Sequence, residues 1–229
     1  MDSRQAKSVV FDQLAVVGKA FGSAKRLELI DLMSQGERTV EALAREAGLG
    51  VSTASAHLQV LKLSNLVSTR REGTRIFYSL AGEDVAALYA SMRTVARAHS
   101  ADVDRALGSY FGLGRHGDAD ADVVEISRED LLEALDARTV VLLDVRPVAE
   151  YAAGHIPGAR SVPFDQLAED LPLQDLGDDV EIVAYCRGAY CVMAHDAVRL
   201  LQAQGRTARR LEDGLLEWRV NGLHVETGA

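Results

Sequence analysis

The chain's only two cysteines, Cys186 and Cys191, both lie in one stretch, Glu181-Ile182-Val183-Ala184-Tyr185-Cys186-Arg187-Gly188-Ala189-Tyr190-Cys191-Val192-Met193. This reads as a short buried strand, a tight loop and the start of a helix. A thiol in that loop sits under converging backbone N–H groups at the positive end of a helix dipole. Both effects lower a thiol pKa and favour the nucleophilic thiolate. Gly188 lets the loop curl so that its amides form an anion-binding nest. The site suits a sulfur anion attached to, or attacking, Cys186. Cys191 reads equally as a resolving thiol or as a small apolar residue in the first helical turn. Two cysteines in 229 residues make no disulfide framework, and in a reducing compartment they point to catalytic, redox or metal chemistry.

The elements that must position this loop are those of an α/β layer. Val123 to Ile126 predicts a strand, and Ser127 to Asp130 opens a helix with a pattern close to a capping box. Thr139 to Val145 is a continuous apolar run, as expected of a central strand, and Glu181 to Tyr185 is another. Ala194 to Gln204 predicts a helix, and Arg209-Arg210-Leu211 leads to a further sheet edge. The alternation argues a largely parallel sheet with helices on both faces, which binds ligands at the carboxyl ends of its strands. Asp144 and Cys186 both stand at such ends. His155 reads as a structural hydrogen-bonder, His195 has no expected catalytic role, Tyr185 and Tyr190 read as packing or pocket lining, and Trp218 reads as core.

Three motifs in order carry a resemblance over about residues 122 to 228: "LLDVRPVAEYAAGHIPGARSVPF" at 142–164, "YCRGAYCVMA" around the cysteines, and "LEDGLLEWRVNGLHV" with Gly214, Trp218 and Gly222. This half resembles a rhodanese domain. The resemblance implies sulfane-sulfur transfer, with Cys186 as the persulfide carrier and Arg187, Gly188, Ala189, Tyr190 and Cys191 as its cradle. It also implies that Asp144 and Arg146 order the loop and its entry. The sixth loop position, often arginine in thiosulfate-using rhodaneses, is Cys191, which removes an anion-binding charge and brings a second thiol close. A phosphatase reading fails, because position 192 is valine.

The first half reads differently. Gln5 to Phe21 has helical apolar spacing at Val9, Val10, Leu14, Val17 and Phe21, and Ala24 to Met33 predicts a second helix. Val40 to Ala47, with Thr39 as N-cap, is joined through Gly48-Leu49-Gly50 to a helix over Val51 to Leu63, which is a helix-turn-helix arrangement. Ser52, Thr53, Ser55, His57 and Gln59 are the small polar side chains that such a second helix presents to base edges, with Val51, Ala54, Leu58 and Leu61 facing inward. Asn65 to Leu80 predicts a hairpin tipped by Glu72-Gly73, whose Arg70, Arg71 and Arg75 suit phosphate or minor-groove contact. The segments "RLELIDLMSQGERTVEALAREAGLGVSTASAHLQVLKLSNLV" and "TRREGTRIFYSL" resemble a winged-helix repressor of the arsenic-repressor type over residues 8 to 100. The resemblance implies a homodimer on a palindromic double-stranded operator, paired through its first and last helices, the latter expected over Asp84 to Tyr110. Metal sensors of that family carry Cys-x-Cys on the helix before the turn. Val40 to Ala47 has neither Cys nor His, so no metal site is expected.

The fold class expected is therefore two domains: a mainly α winged helix-turn-helix over 1–111, a Gly- and Asp-rich linker over 112–122, and an α/β rhodanese-like domain with a parallel sheet over 123–229. The net charge of -9 divides unevenly between the halves. Residues 1–100 hold 13 Lys/Arg against 10 Asp/Glu, and residues 101–229 hold 12 against 24. This division suits two domains with different partners. No apolar run is long enough to span a bilayer, and Met1-Asp2-Ser3-Arg4 opens no signal peptide, so a cytoplasmic protein without membrane contact and without a cofactor is expected. The expected function is a DNA-binding regulator that carries or senses sulfane sulfur on Cys186, using a small sulfur donor or thiol acceptor. The alternative is an active sulfurtransferase passing persulfide to a thiol, with autoregulatory DNA binding.

Overall fold

The computed structural model describes residues 2–111, 123–167, 173, 176–177 and 180–228. The linker expected at 112–122 lies outside them. The chain divides into two compact units, Met1–Ser91 and Met92–Ala229.

In the first unit, α1 (Ser3–Phe21) and α2 (Ala24–Ser34) precede the short strand β1 (Arg38–Thr39), then α3 (Val40–Glu46) and α4 (Val51–Leu63). The Thr39 side chain accepts from the Ala42 amide, the N-cap read from the sequence. Gly48 takes φ +62°, the left-handed conformation that a glycine supplies at a helix C-terminus. The hairpin follows as β2 (Val67–Glu72) and β3 (Arg75–Leu80), with Gly73 at φ +60° in its tip. β1 adds to the free edge of β3 by antiparallel pairing, a third strand that two residues of sequence gave no means to foresee. Ala54, Leu58 and Leu61 of α4 are fully buried. Val51, the first residue of α4, stands at the end of that face and is instead 49% exposed.

One helix was expected over Asp84 to Tyr110, but two form: α5 (Glu83–His99) and α6 (Ala101–Tyr110). Ser100 between them is extended, at φ -129° and ψ 102°, and serves as N-cap of α6. Serine competes with the helical backbone and favours caps over interiors. The division between the two units falls inside α5.

The second unit holds a five-stranded parallel sheet in the order β4 (Glu125–Ile126), β8 (Ala208–Leu211), β7 (Glu181–Tyr185), β5 (Val140–Asp144), β6 (Arg160–Ser161). β8 lies between β4 and β7, not at an edge, since the short β4 covers it. Its helices are α7 (Arg128–Asp136), α8 (Val148–Ala153), α9 (Phe164–Leu167), α10 (Val192–Ala203) and α11 (Leu215–Val220). Alternate residues of β7 serve two cores. Ile182 and Ala184 pack with Ala197, Val198 and Leu201 of α10, while Val183 and Tyr185 pack with Leu131, Leu215 and Trp218. A strand buried on both faces must read as a continuous apolar run, and this one does.

At the carboxyl ends of β5 and β7, Asp144 and Arg146 are fully buried against each other. Arg146 donates from Nε to Asp144 Oδ1 at 2.9 Å and from Nη2 to the Gly154 carbonyl at 2.7 Å. The Tyr185 hydroxyl donates to Asp144 Oδ2 at 2.6 Å and accepts from the Ile156 amide at 3.0 Å. Truncating one member of such a pair strands the other as an uncompensated buried charge. Arg146→Ala is expected to cost about 3–5 kcal/mol, seen as a lowered urea midpoint; an unchanged midpoint would contradict the pairing.

Candidate functional site

β7 delivers Tyr185 to the node just described, and the chain then turns into the cysteine loop. The loop backbone is clasped by the start of α11: the Leu215 amide donates to the Cys186 carbonyl and the Leu216 amide to the Arg187 carbonyl, each at 3.1 Å. Gly214 lies so close that a Cβ there would fall 2.3 Å from the Gly188 nitrogen and 2.6 Å from the Cys186 oxygen. That contact is why this position of the closing motif must be glycine. The Cys191 amide donates to the Gly188 carbonyl at 3.0 Å, closing the turn, and Cys191 is the N-cap of α10.

Cys186 is buried and Cys191 half-buried, and both are free thiols. The Cys186 thiol lies 3.4 Å from the Cys191 carbonyl oxygen and 3.9 Å from that of Gly188. Sequence reasoning placed the lowered pKa on Cys186. The structure reverses this. Burial pushes the Cys186 thiol well up, reinforced by its hydrogen bond to Cys191, while the amides of Ala194 and Gly188 only partly oppose it. The same hydrogen bond from Cys186 lowers Cys191, against its own burial and with help from the Met193 and Arg187 amides. In this conformation the hydrogen bond favours the proton on Cys186 and shifts negative charge toward Cys191.

Gly188, Ala189 and Tyr190 form the bend and turn between the two cysteines. The Arg187 side chain leaves it: Nε donates to the Glu150 carboxylate at 3.1 and 3.0 Å, and Glu150 is buried on α8. Arg187 thus ties the loop to α8, and both its backbone amide and its charge lower the Cys191 pKa. Glu150 was not singled out from the sequence, although it stands inside the first quoted motif. A carboxylate at a position otherwise built of apolar and turn residues was the available signal. His155 stacks on Tyr151 with centroids 3.7 Å apart, and its Nδ1 is 3.0 Å from the Tyr151 carbonyl, a structural role. Trp218 is buried in the core and donates to the His224 carbonyl at 2.7 Å.

In the first unit, Ser52, Thr53 and Gln59 of α4 are exposed and Ser55 and His57 half-buried, one polar face along the helix. On the hairpin, Arg70 bonds to Glu37 and to Glu72 at 2.8 Å, and covers the Phe77 ring at 4.5 Å. These carboxylates raise the Arg70 pKa, and Arg70 in turn lowers that of Glu37. Arg71 donates to the Gly73 carbonyl at the tip, and both Arg71 and Arg75 are exposed.

Residues 127–221 match the rhodanese-like domain, and residues 23–69 match the arsR family of bacterial regulatory proteins. The HTH-type transcriptional regulator Rv0324 of Mycobacterium tuberculosis is 52% identical over 223 residues, 97% of this chain and 94% of that protein. The chain belongs to the ArsR family of transcriptional regulators. Behind its helix-turn-helix the regulator carries a rhodanese-like domain. A sulfurtransferase of Allochromatium vinosum is 32% identical over 104 residues, 45% of this regulator and 94% of its own length. A solution structure of a homodimeric winged helix-turn-helix DNA-binding domain from Mycobacterium bovis is 50% identical, covers 44% of the regulator and 91% of that chain, and has a TM-score of 0.41. Among the described residues, no cluster of His, Cys, Asp and Glu could hold a metal ion, and no helix is long and apolar enough to cross a membrane.

The thiol order has a direct test. As pH is raised, iodoacetamide is expected to label Cys191 before Cys186, read by peptide mass spectrometry. Labelling of Cys186 first would reverse the assignment of proton and thiolate.

Proposed function

We propose that the regulator binds its operator as a cytoplasmic homodimer and that sulfane sulfur taken up at Cys186 weakens that binding. The observation that carries this reading is the pair of free cysteines, Cys186 buried and Cys191 at the N-cap of α10, inside one loop whose amides converge on both sulfurs. An inorganic polysulfide such as tetrasulfide supplies the sulfur. The Cys186 sulfur attacks a sulfane sulfur as its proton passes to the Cys191 thiolate. One S–S bond forms on Cys186, one breaks in the donor, and trisulfide leaves. Tetrasulfide is reduced to trisulfide as Cys186 is oxidised to a persulfide. Cys191, now a thiol, can then attack the inner sulfur of Cys186, giving a Cys186–Cys191 disulfide and expelling hydrosulfide. Asp144 and Arg146 hold the strand ends beneath the loop.

Dimerisation is supported by the apolar face that α1 leaves in solvent, with Val9 50% and Leu14 62% exposed beside Val10 and Phe11. DNA contact is assigned to Ser52, Thr53, Ser55, His57 and Gln59 at base edges and to Arg71 and Arg75 at phosphates. Arg70 contributes less than expected from the sequence, because Glu37 and Glu72 already neutralise it.

The reading is tested with DNA selected from a random pool by the reduced protein. Polysulfide is expected to lower affinity on the order of tenfold and to add the mass of sulfur to the Cys186 peptide or remove two hydrogens from the pair. Cys186→Ser should bind DNA as tightly as wild type and ignore polysulfide; a wild-type response from that variant rejects the proposal. For the wing, replacing both Arg71 and Arg75 by Ala should weaken binding to all sequences alike and flatten the slope of log affinity against log salt by about 2. An unchanged slope would remove the wing from the interface.

A further inference from the structure

Sulfur on a buried cysteine can regulate DNA binding only if the change leaves the loop by a physical route. α5 is one uninterrupted helix, Glu83–His99. Its Val85, Ala86 and Tyr89 are buried and belong to the first unit. Arg93, one turn past Tyr89, belongs to the second.

Within the second unit, Arg93 is 7% exposed and engages the cysteine loop in three ways and α11 in a fourth. Its guanidinium carbon lies 4.1 Å from the centroid of the Tyr190 ring. The Tyr190 hydroxyl donates back to the Arg93 carbonyl at 3.1 Å, so the same residue is held by side chain and backbone. Its Nη1 is 3.2 Å from Glu217 Oε1. The other oxygen of that carboxylate, Oε2, accepts from the Gly214 amide at 3.1 Å, and Gly214 is the residue pressed against Gly188. Finally, Arg93 Nη1 and Nη2 lie 3.1 and 3.3 Å from where a Gly188 Cβ would stand. Gly188 and Tyr190 are two of the four residues between the cysteines.

We infer that Arg93 is the coupling residue through which the sulfur state of Cys186 reaches α5. The inference rests on the reading that sulfur at Cys186 alters DNA binding, and it names the device. A persulfide extends Cys186 by a bond of about 2 Å, in a direction bounded by the Cys191 and Gly188 carbonyls at 3.4 and 3.9 Å. A disulfide instead pulls Cys191 and its neighbour Tyr190 toward Cys186. Either event displaces the Gly188–Tyr190 turn, and Arg93 cannot keep its stack on Tyr190 and its ion pair with Glu217 once that turn moves. Close-packed contacts of this kind switch between discrete arrangements and do not deform smoothly. The route to the first unit is α5 itself, on which Arg93 and Tyr89 are one turn apart. Glu217 and Tyr190 are positioning residues in this scheme, and Arg93 itself touches neither sulfur.

The test compares full-length wild type and Arg93→Gln for sulfur uptake by peptide mass spectrometry and for affinity to the selected DNA, each with and without tetrasulfide. Wild type is expected to lose about tenfold in affinity. Arg93→Gln should take up sulfur at Cys186 to the same extent, bind the same DNA when reduced, and change affinity less than about twofold. A variant that takes up sulfur and still responds like wild type overturns the inference while leaving the proposed function standing. A variant that takes up no sulfur also overturns it, because Arg93 then supports the loop chemistry and not the coupling. A wild-type protein indifferent to sulfur rejects the proposed function and this inference with it. If Arg93→Gln does not fold by circular dichroism, Arg93→Lys is judged by the same ratio. An ammonium cannot lie flat on Tyr190 and reach Glu217 together, so its response should fall at least about threefold, and an undiminished response counts against coupling.

Discussion

Asp144, Arg146 and Tyr185 meet in full burial at the ends of two adjacent central strands, and the cysteine loop depends on that meeting. A carboxylate and a guanidinium are expensive to remove from water, and their attraction compensates only when the remaining hydrogen-bonding capacity is also filled. Here it is filled from several elements: the Arg146 amide, the Tyr185 hydroxyl, the Gly154 carbonyl and, through Tyr185, the Ile156 amide. Satisfying one group therefore fixes β5, β7 and the segment around Gly154–Ile156 together. Tyr185 immediately precedes Cys186, so the position of the thiol is inherited from this network. Arg187 and Glu150 repeat the device one step further along the chain, with a second half-buried ion pair tying the loop to α8.

That rigidity sets the chemistry of the two sulfurs. A helix N-terminus and converging amides favour thiolate, as the sequence suggested, but the benefit goes to the sulfur that faces them with least desolvation. Cys186 lies inside the core cluster with Val145, Ala184 and Ala194, and burial outweighs the dipole there. Cys191, at the N-cap and less buried, is shifted down. The two sulfurs of one loop are therefore shifted in opposite directions by their difference in burial.

The resemblance to both families, the helix-turn-helix with its Thr39 cap, the wing and the double-faced burial of β7 were all legible in the sequence. Each is written in local pattern: apolar periodicity, cap residues, glycine at turns and long ordered motifs. What escaped was decided by partners distant along the chain. The break at Ser100 sits inside otherwise continuous helical spacing. The interior place of β8 depends on its pairing with β4, 85 residues earlier, a strand whose partner the sequence does not name. Arg70 read as a free cation until Glu37, 33 residues earlier, folded beside it. The ion pair of Arg187 depends on Glu150, 37 residues earlier.

Cys186 and Cys191 mark the limit most clearly. Residue type and spacing determined that two thiols would share one strand-to-helix loop, since strand length, glycine placement and helix onset are local properties. Which thiol is shifted up and which down, and that Arg93 on a helix more than ninety residues away lies against the loop, only the tertiary structure decided. Desolvation and electrostatic contact depend on distance in space, and a sequence records distance only along the chain.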